Sequence, residues 1–458
     1  MFRFTKKPAF RDYLLWLALL IYTAVLVWVL VTKSRPDLIL LYRNTEHPSL
    51  SIAAGCILGI TYVYLLFTGV LCCFYRPYPT EKNNRKLPSC TIIVPAYNEG
   101  AHVEQTLQSL LKSDYPKEKL EIIAINDGSE DDTWEYIKKG ATQAPDLIRT
   151  INLPVNCGKK YAIYVGTKKA SGDIIVTVDS DSFVEAHTIR ALVSPLRDKT
   201  VGAVAGSVQA ANRDQNFIAA LLDVLMVFAC EFLRAAQSVS GLVLCTPGAL
   251  SAYRKSALLP IIDEWLNQTF MGKPATIGED RALATLILRS NYKTLQQRTA
   301  LVRTYLPSTA SVGLKTMMRW ARGDIRENIV MTKFTIDRLR HFKLQNFALL
   351  IYWVAFIQNL ILPFLFIPSF VFMLLFSAKN APVFLATNGL MSLLWATIPA
   401  AIYATHTSLR KAAWAFLYGL ICPFLMALIY IYCFMTLRDS RWMTRSLPQR
   451  EKEKLLHN

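Results

Sequence analysis

The chain has nine cysteines in 458 residues, yet it lacks any CxxC and any Cys/His spacing of metal-ligand type. Cys56, Cys72, Cys73, Cys90, Cys157, Cys230, Cys245, Cys422 and Cys433 are scattered, and the only close pair sits inside an apolar run. Neither a zinc site nor a disulfide framework is therefore indicated. No pattern of stacking aromatics among basic residues argues for nucleic acid, although the formal net charge is +18. The first apolar segment has no small-residue cleavage pattern and a second follows it, so it is expected to remain as an anchor.

What is present in excess is apolar sequence: 53% of residues are hydrophobic, more than an ordinary soluble protein carries. Unbroken apolar runs occupy 13–31, 52–75, 344–376, 383–403 and 412–435, each at or near the roughly 20 residues a bilayer requires. A polytopic membrane protein is expected. Its basic flanks are Arg3, Lys6, Lys7 and Arg11, then Arg76, Lys82, Arg85 and Lys86. Lys333, Arg338, Arg340 and Lys343 precede the third run, and Arg438, Arg441, Arg445 and Arg450 follow the last. All four flanks point to the cytoplasm, as does the large middle segment, whose thiols should be reduced. The remaining basic excess suits contact with anionic lipid. An even number of C-terminal crossings follows, and the run 344–376, with Pro363 and Pro368, reads as a kinked pair, so six crossings are favoured over five.

The middle segment alternates strands and helices. Residues 90–99 ("CTIIVPAYNE"), 121–129 ("EIIAINDGS"), 173–181 ("DIIVTVDSD") and 201–206 ("VGAVAG") read as buried strands, with helical patterns at 101–112 and 130–140. Such alternation implies an α/β fold with a mostly parallel sheet. Ligands of these sheets bind beyond the carboxyl ends of the strands. Three strands deliver polar residues there: Asn98 and Glu99, Asn126-Asp127-Gly128-Ser129, and Asp179-Ser180-Asp181. Turn and capping chemistry alone favours such residues at any one end. Three coinciding at one rim point instead to a divalent cation and a polar ligand, and hard oxygen donors suit Mg²⁺ or Mn²⁺.

"VPAYNE", "NDGSEDDT", "VDSDS", "GED" (278–280) and "RW" (319–320), in this order between apolar runs, resemble the family 2 membrane glycosyltransferases, which include the cellulose, chitin and hyaluronan synthases. The likeness covers about 90–328 and returns in "LRDSRWMTR" (437–445); "DEWLNQTFMGKPATIGEDRALATLIL" and "LCTPGALSAYR" resemble most the hyaluronan and nodulation chitin-oligosaccharide synthases. A lone DxD is weak, whereas the ordered set is specific. The resemblance implies a cytosolic GT-A-like domain (77–310) between two N-terminal spans (1–76) and three or four C-terminal spans (344–436). Interfacial amphipathic helices (311–343) would carry RW, and a basic tail (437–458) would end the chain. Location in the plasma membrane, with the catalytic domain cytoplasmic, is implied with it.

Carried over position by position, the resemblance implies that Glu99 and Asp127 contact the uracil and ribose of a UDP-sugar, with Tyr97 and Arg254 also binding substrate. Lys159 would approach the diphosphate. Asp181 would be the more direct metal ligand, with Asp179 nearer the ribose and metal shell. Asp280 would be the general base, with Glu279 beside it; Arg319 would meet the diphosphate and Trp320 would support the acceptor sugar. Thr316 stands where the family's QxxRW signature has Gln, which affects the acceptor contact. The residue types suit an inverting displacement, which needs a base at the acceptor hydroxyl and positive charge at the leaving UDP.

Other readings of single residues stand beside these. Asp280 adjoins Arg281, as a surface ion pair would. Lys159 and Lys160 also read as solvated loop charges, and Trp320 as an interfacial anchor. Residues 311–340 read as an amphipathic helix with Leu314, Met317, Met318, Ile325, Ile329 and Val330 on one side and Lys315, Arg322, Arg326 and Lys333 elsewhere. A second apolar stripe, 216–233, reads as core or as a surface touching the membrane side. The expected function is a processive synthase that extends a polysaccharide from UDP-sugars, UDP-N-acetylglucosamine with or without UDP-glucuronate, and passes it through its own spans. The alternative is transfer of one sugar to a lipid or polyprenyl phosphate. A non-catalytic membrane scaffold would not need this carboxylate set.

Overall fold

The computed structural model describes residues 63–340, 344–376, 381–407 and 409–440, with a few isolated positions before residue 63. Most of the first expected span, the beginning of the second (52–62, apart from Ile60) and the tail beyond 440 lie outside the described residues. Two compact units are distinguished: Arg76–Phe334 with the chain from Cys433 onward, and Thr335–Tyr432 with the N-terminal segment.

The first unit runs β1 (Cys90–Ala96), α1 (His102–Leu111), β2 (Leu120–Asp127), α2 (Thr133–Thr142), β3 (Ile148–Leu153) and α3 (Lys159–Lys169). Next come β4 (Ile174–Val178), β5 (Ser182–Val184), α4 (Thr188–Val193), β6 (Val201–Ala210), α5 (Phe217–Phe228) and β7 (Leu250–Arg254). A small hairpin, β8 (Thr269–Phe270) and β9 (Lys273–Pro274), precedes α6 (Glu279–Arg289) and β10 (Lys293–Thr304). Eight strands form one sheet in the order β3-β2-β1-β4-β7-β6-β10-β5. All run the same way except β7, antiparallel to β4 and β6, and β5, antiparallel to β10. The mostly parallel α/β sheet expected from the sequence is the one that forms.

Every residue of β1 is buried, which is why it reads as continuously apolar rather than alternating. Its side chains still divide by the period of two. Ile92 and Val94 enter one apolar layer with Val103, Leu107, Leu110 and Ile137 of α1 and α2. Ile93 enters the other with Ile123, Ile125, Ala162, Ile163 and Trp265. Burying each such isoleucine contributes about 1.5–3 kcal/mol, so helices on both faces hold the strand in one register. Because β1 is parallel to β2 and β4, their carboxyl ends share one rim.

α7 (Ala310–Leu339) follows the sheet as a single 30-residue helix. The apolar residues expected on one side meet different surroundings. Met317 and Ile325 are buried, but Leu314, Ile329 and Val330 are exposed, while Arg322 and Arg326 are buried. The two arginines face the returning chain. Arg322 donates to Thr436 Oγ1 at 3.2 and 2.9 Å, and Arg326 donates to Leu437 O at 3.0 and 2.8 Å and to Asp439 O at 2.7 Å. A hydropathy pattern has no means of foreseeing backbone carbonyls as partners for a guanidinium.

The second unit contains α8 (Leu344–Phe376), α9 (Ala381–His406) and α10 (Leu409–Met435). The stretch 344–376 is one continuous helix, which corrects the kinked pair expected from its prolines. A proline in an apolar helix costs one backbone hydrogen bond, and the chain tolerates that without a break. Among the described residues, 346–364 and 411–435 are long and apolar enough to cross a bilayer, and Val63–Phe74 is a shorter apolar helix.

Candidate active site

β1 and β2 end in loops that hold each other. Asn98, in the left-handed region (φ 52°), donates its N–H to Ser129 Oγ at 3.0 Å and accepts from Glu130 N at 2.9 Å. Glu99 N donates to Thr133 Oγ1 at 2.8 Å. Tyr97 and Glu99 are thereby set half-buried at the rim. Asp127 is 2% exposed, and its Oδ1 accepts from Cys157 N at 2.8 Å, fixing the loop that opens α3.

α3 begins at Lys159, whose ammonium is ion-paired with Asp179 and stands 3.7 Å from Glu279 Oε1. Burial works against that charge, but Asp179 and Glu279 outweigh it and push the pKa up to about 12. Lys159 is thus no solvated loop charge. Lys160 is buried too, donating to Ala275 O at 3.1 Å with its ammonium 5.2 Å from the centre of the Trp265 ring. Opposite Lys159 lies Gly248 of "LCTPGAL", where a Cβ would collide with the Lys159 ammonium and sit 3.5 Å from Asp179 Oδ2.

Asp181 accepts from Thr304 Oγ1 at 3.0 Å and from Ser182 Oγ at 3.4 Å. Burial, and then the charges of Asp179 and Glu99, lift its pKa to about 6. Among the described residues no group of three or more His, Cys, Asp or Glu side chains is placed to hold a metal. Two carboxylates, with the charge of Asp181 disfavoured by Asp179, fit a cation that completes its shell with water and phosphate oxygens, as Mg²⁺ and Mn²⁺ do.

α6 opens on Glu279 and Asp280. Trp265, fully buried, donates Nε1–H to Glu279 O at 2.9 Å, and Thr246 Oγ1 donates to Asp280 O at 3.0 Å. The Glu279 pKa is raised by burial, with Lys159 acting against the rise, Asp280 adding to it and Arg319 acting against it. Asp280 Oδ1 accepts from Arg281 N at 2.8 Å, and Oδ2 accepts from the Cys245 thiol at 3.5 Å. The Arg281 guanidinium pairs instead with Asp324 at 2.5 Å, so the Asp280–Arg281 ion pair does not form. On α7, Arg319 and Trp320 are half-buried and Thr316, one turn earlier, is buried.

Glu99, Lys159, Asp179, Asp181, Glu279, Asp280 and Arg319 thus act on one another electrostatically, with Tyr97, Asp127 and Trp320 on the same loops and helix. Arg254 is not among them, which corrects its expected substrate contact. β7 runs antiparallel to β4, so Arg254 pairs with Ile174 at the start of β4, while Leu250 pairs with Val178 beside the rim. The Arg254 guanidinium donates to the carbonyls of Val201, Leu196 and Asp198.

Sequence reasoning missed several neighbours of the site: Thr304 on Asp181, Gly248 against Lys159, Trp265 on Glu279, and Cys245 on Asp280. Gly248 and Cys245 lie in a motif that the resemblance singled out, but nothing in their spacing says which atoms they face.

Residues 91–260 match the glycosyl transferase family 2 profile. An N-acetylglucosaminyltransferase of Rhizobium meliloti (strain 1021) is 35% identical over 247 residues, 54% of this chain and 58% of the relative. The match thus spans little more than half the length of that relative. One from Azorhizobium caulinodans is 29% identical over 78% of this chain and 87% of the relative. A hyaluronan synthase of Streptococcus pyogenes is 28% identical over 84% and 89%. In fold, the chain is similar to a mannosyltransferase from Pyrobaculum calidifontis solved with GDP-Man and Mn²⁺, with TM-score 0.57, 21% identity, and 78% and 96% of the two chains covered.

Proposed function

We propose that the chain, whose residues 91–260 match the glycosyl transferase family 2 profile, is a glycosyltransferase that polymerises a UDP-activated amino sugar into a chitin- or hyaluronan-type polysaccharide. The observation that carries this reading is Lys159, whose ammonium joins Asp179 of the DxD to Glu279 beside the base. Donor-binding and acceptor-activating groups are thus one electrostatic unit. N-acetylglucosamine is the favoured donor sugar because relatives over most of this chain's length are named for it or for hyaluronan synthesis. Export through the enzyme's own spans, at the plasma membrane with the site facing the cytoplasm, completes the proposal.

The nucleotide would lie across the β1 and β2 loops, against Tyr97, Glu99 and Asp127. Asp181, with Asp179, would hold Mg²⁺ or Mn²⁺, which when bound offsets the charge of the diphosphate. Lys159 and Arg319 add positive charge on the chain's side. Asp280 takes the proton of the acceptor hydroxyl as its oxygen bonds to the anomeric carbon. The bond from that carbon to UDP breaks on the opposite face, and UDP leaves with the electron pair, inverting the configuration. Trp320 supports the acceptor ring.

The test is UDP release by the purified full chain from UDP-GlcNAc, UDP-GlcA and UDP-Glc, alone and in pairs, followed by product sizing. Long polymer from UDP-GlcNAc, or from UDP-GlcNAc with UDP-GlcA, supports the reading. A single glycolipid would move the assignment to lipid glycosylation, and no UDP release would end it.

A further inference from the structure

Arg234 ends a π-helical turn, Ala229–Arg234, that continues α5. Wide turns of this kind displace side chains from the regular helical register and recur at functional sites. Here the turn points a guanidinium at sulfur. Nη1 donates to Cys230 Sγ at 3.2 Å and Nη2 to Cys245 Sγ at 3.8 Å. Among the described residues Arg234 has no carboxylate within ion-pair distance. That is an unusual environment for a half-buried cation, because thiols are weak acceptors and a charge out of water needs an opposite one.

The opposite charge is one sulfur away. Cys245 Sγ is 3.5 Å from Asp280 Oδ2, and among the described residues no cation lies within ion-pair distance of that carboxylate. Burial, reinforced by Asp280, pushes the Cys245 thiol up to about 12. Cys245 therefore keeps its proton and can donate it to Asp280. The other oxygen, Oδ1, is held by Arg281 N at 2.8 Å, so both carboxylate oxygens have a fixed donor.

We infer that Arg234, acting through the Cys245 thiol, is the positioning residue of the general base: it supplies the counter-charge for the Asp280 carboxylate and fixes the direction of its Oδ2. This rests on the reading of Asp280 as the base. A cation in direct contact would hold the carboxylate's electron pair and compete with the acceptor proton. A thiol interposed between the two orients the carboxylate while keeping the guanidinium out of direct contact with it.

Turnover and UDP binding of the full chain separate this role from a structural one. Arg234→Met should lower kcat about 10- to 100-fold, the cost of a misaligned catalytic group, while UDP affinity and KM stay within about twofold. Arg234→Lys should recover most of the loss by restoring the charge. Cys245→Ser, which keeps a donor, should retain turnover, and Cys245→Val, which keeps the volume, should lose it. Wild-type turnover in Arg234→Met or in Cys245→Val overturns the inference. So does a loss in Arg234→Met that is matched in UDP binding and not recovered by lysine. Asp280→Asn run in parallel identifies which claim fails. Full activity in that variant overturns the base assignment and this inference together. An inactive Asp280→Asn beside fully active Arg234→Met and Cys245→Val overturns only the relay.

Discussion

Gly278 and Gly323 meet backbone to backbone: a Cβ on Gly278 would lie 2.8 Å from Gly323 Cα, and one on Gly323 would lie 2.9 Å from Gly278 Cα. Gly278 precedes Glu279 and Asp280 in the left-handed region (φ 76°), and Gly323 lies one turn beyond Arg319 and Trp320 on α7. The helix that opens on Glu279 and Asp280 and the helix that carries Arg319 and Trp320 are thus separated by no side chain at this contact. Their spacing is set by main-chain contact.

Gly323→Ala should therefore act on transfer more than on donor binding. Inserting a methyl into this contact costs about 1–3 kcal/mol of stability. A displacement of about 1 Å between Asp280 and Trp320 should cost on the order of 10²-fold in transfer. UDP binding, proposed for the rim of β1, β2 and β4, should change little. Parallel measurement of kcat and UDP affinity checks this, and equal losses in both would refute it.

The rim was legible in the sequence because parallel strands carry their ligand residues at fixed ends, so Glu99, Asp127, Asp179 and Asp181 could be placed from pattern alone. Asp280 and Arg319 were legible only through the resemblance, since α6 and α7 approach the sheet from far along the chain. Arg254 was misplaced because strand direction is a property of the sheet: β7 reads apolar whichever way it runs. Arg322 and Arg326 read as the polar side of an amphipathic helix until the Thr436 hydroxyl and the carbonyls of Leu437 and Asp439 are beside them. Arg234 needed the π-helical turn, which no periodicity announces.

Asp181→Ala tests the metal assignment. Apo protein should bind Mn²⁺ weakly and more tightly with UDP, because the phosphate oxygens complete a shell that two carboxylates leave open. The substitution should abolish that coupling and lower transfer by at least about 10²-fold, several kcal/mol of charge stabilisation. Calorimetry with Mn²⁺, with and without UDP, is the measurement. Intact coupling in the variant would leave Asp181 explained by turn and capping chemistry alone.

Arg254→Met should behave as a structural change. Its guanidinium serves three carbonyls at the edge of the sheet away from the rim, and charged hydrogen bonds of this kind are worth about 1.5–3 kcal/mol each when a buried partner is orphaned. The melting temperature should fall while KM for the UDP-sugar is unchanged. A raised KM at unchanged stability would restore Arg254 to the substrate site.

Glu327 gives a pH-dependent prediction. It is buried on α7, accepts from Gln268 Nε2 at 2.8 Å, and has its pKa raised by burial, which outweighs the hydrogen bond from Gln268 and the charges of Arg281 and Lys160. Because the folded pKa lies above the unfolded one, the folded protein holds this proton to higher pH than the unfolded chain does. The carboxyl therefore costs nothing below the unfolded pKa. Its cost grows as pH rises toward the raised folded value and is fully present above it. Glu327→Gln keeps the shape and removes the charge, so it should raise the melting temperature at pH 8, with the difference shrinking toward pH 4. A variant less stable than wild type at pH 8 would mean that Arg281 and Lys160 attract this carboxylate more strongly than burial penalises it.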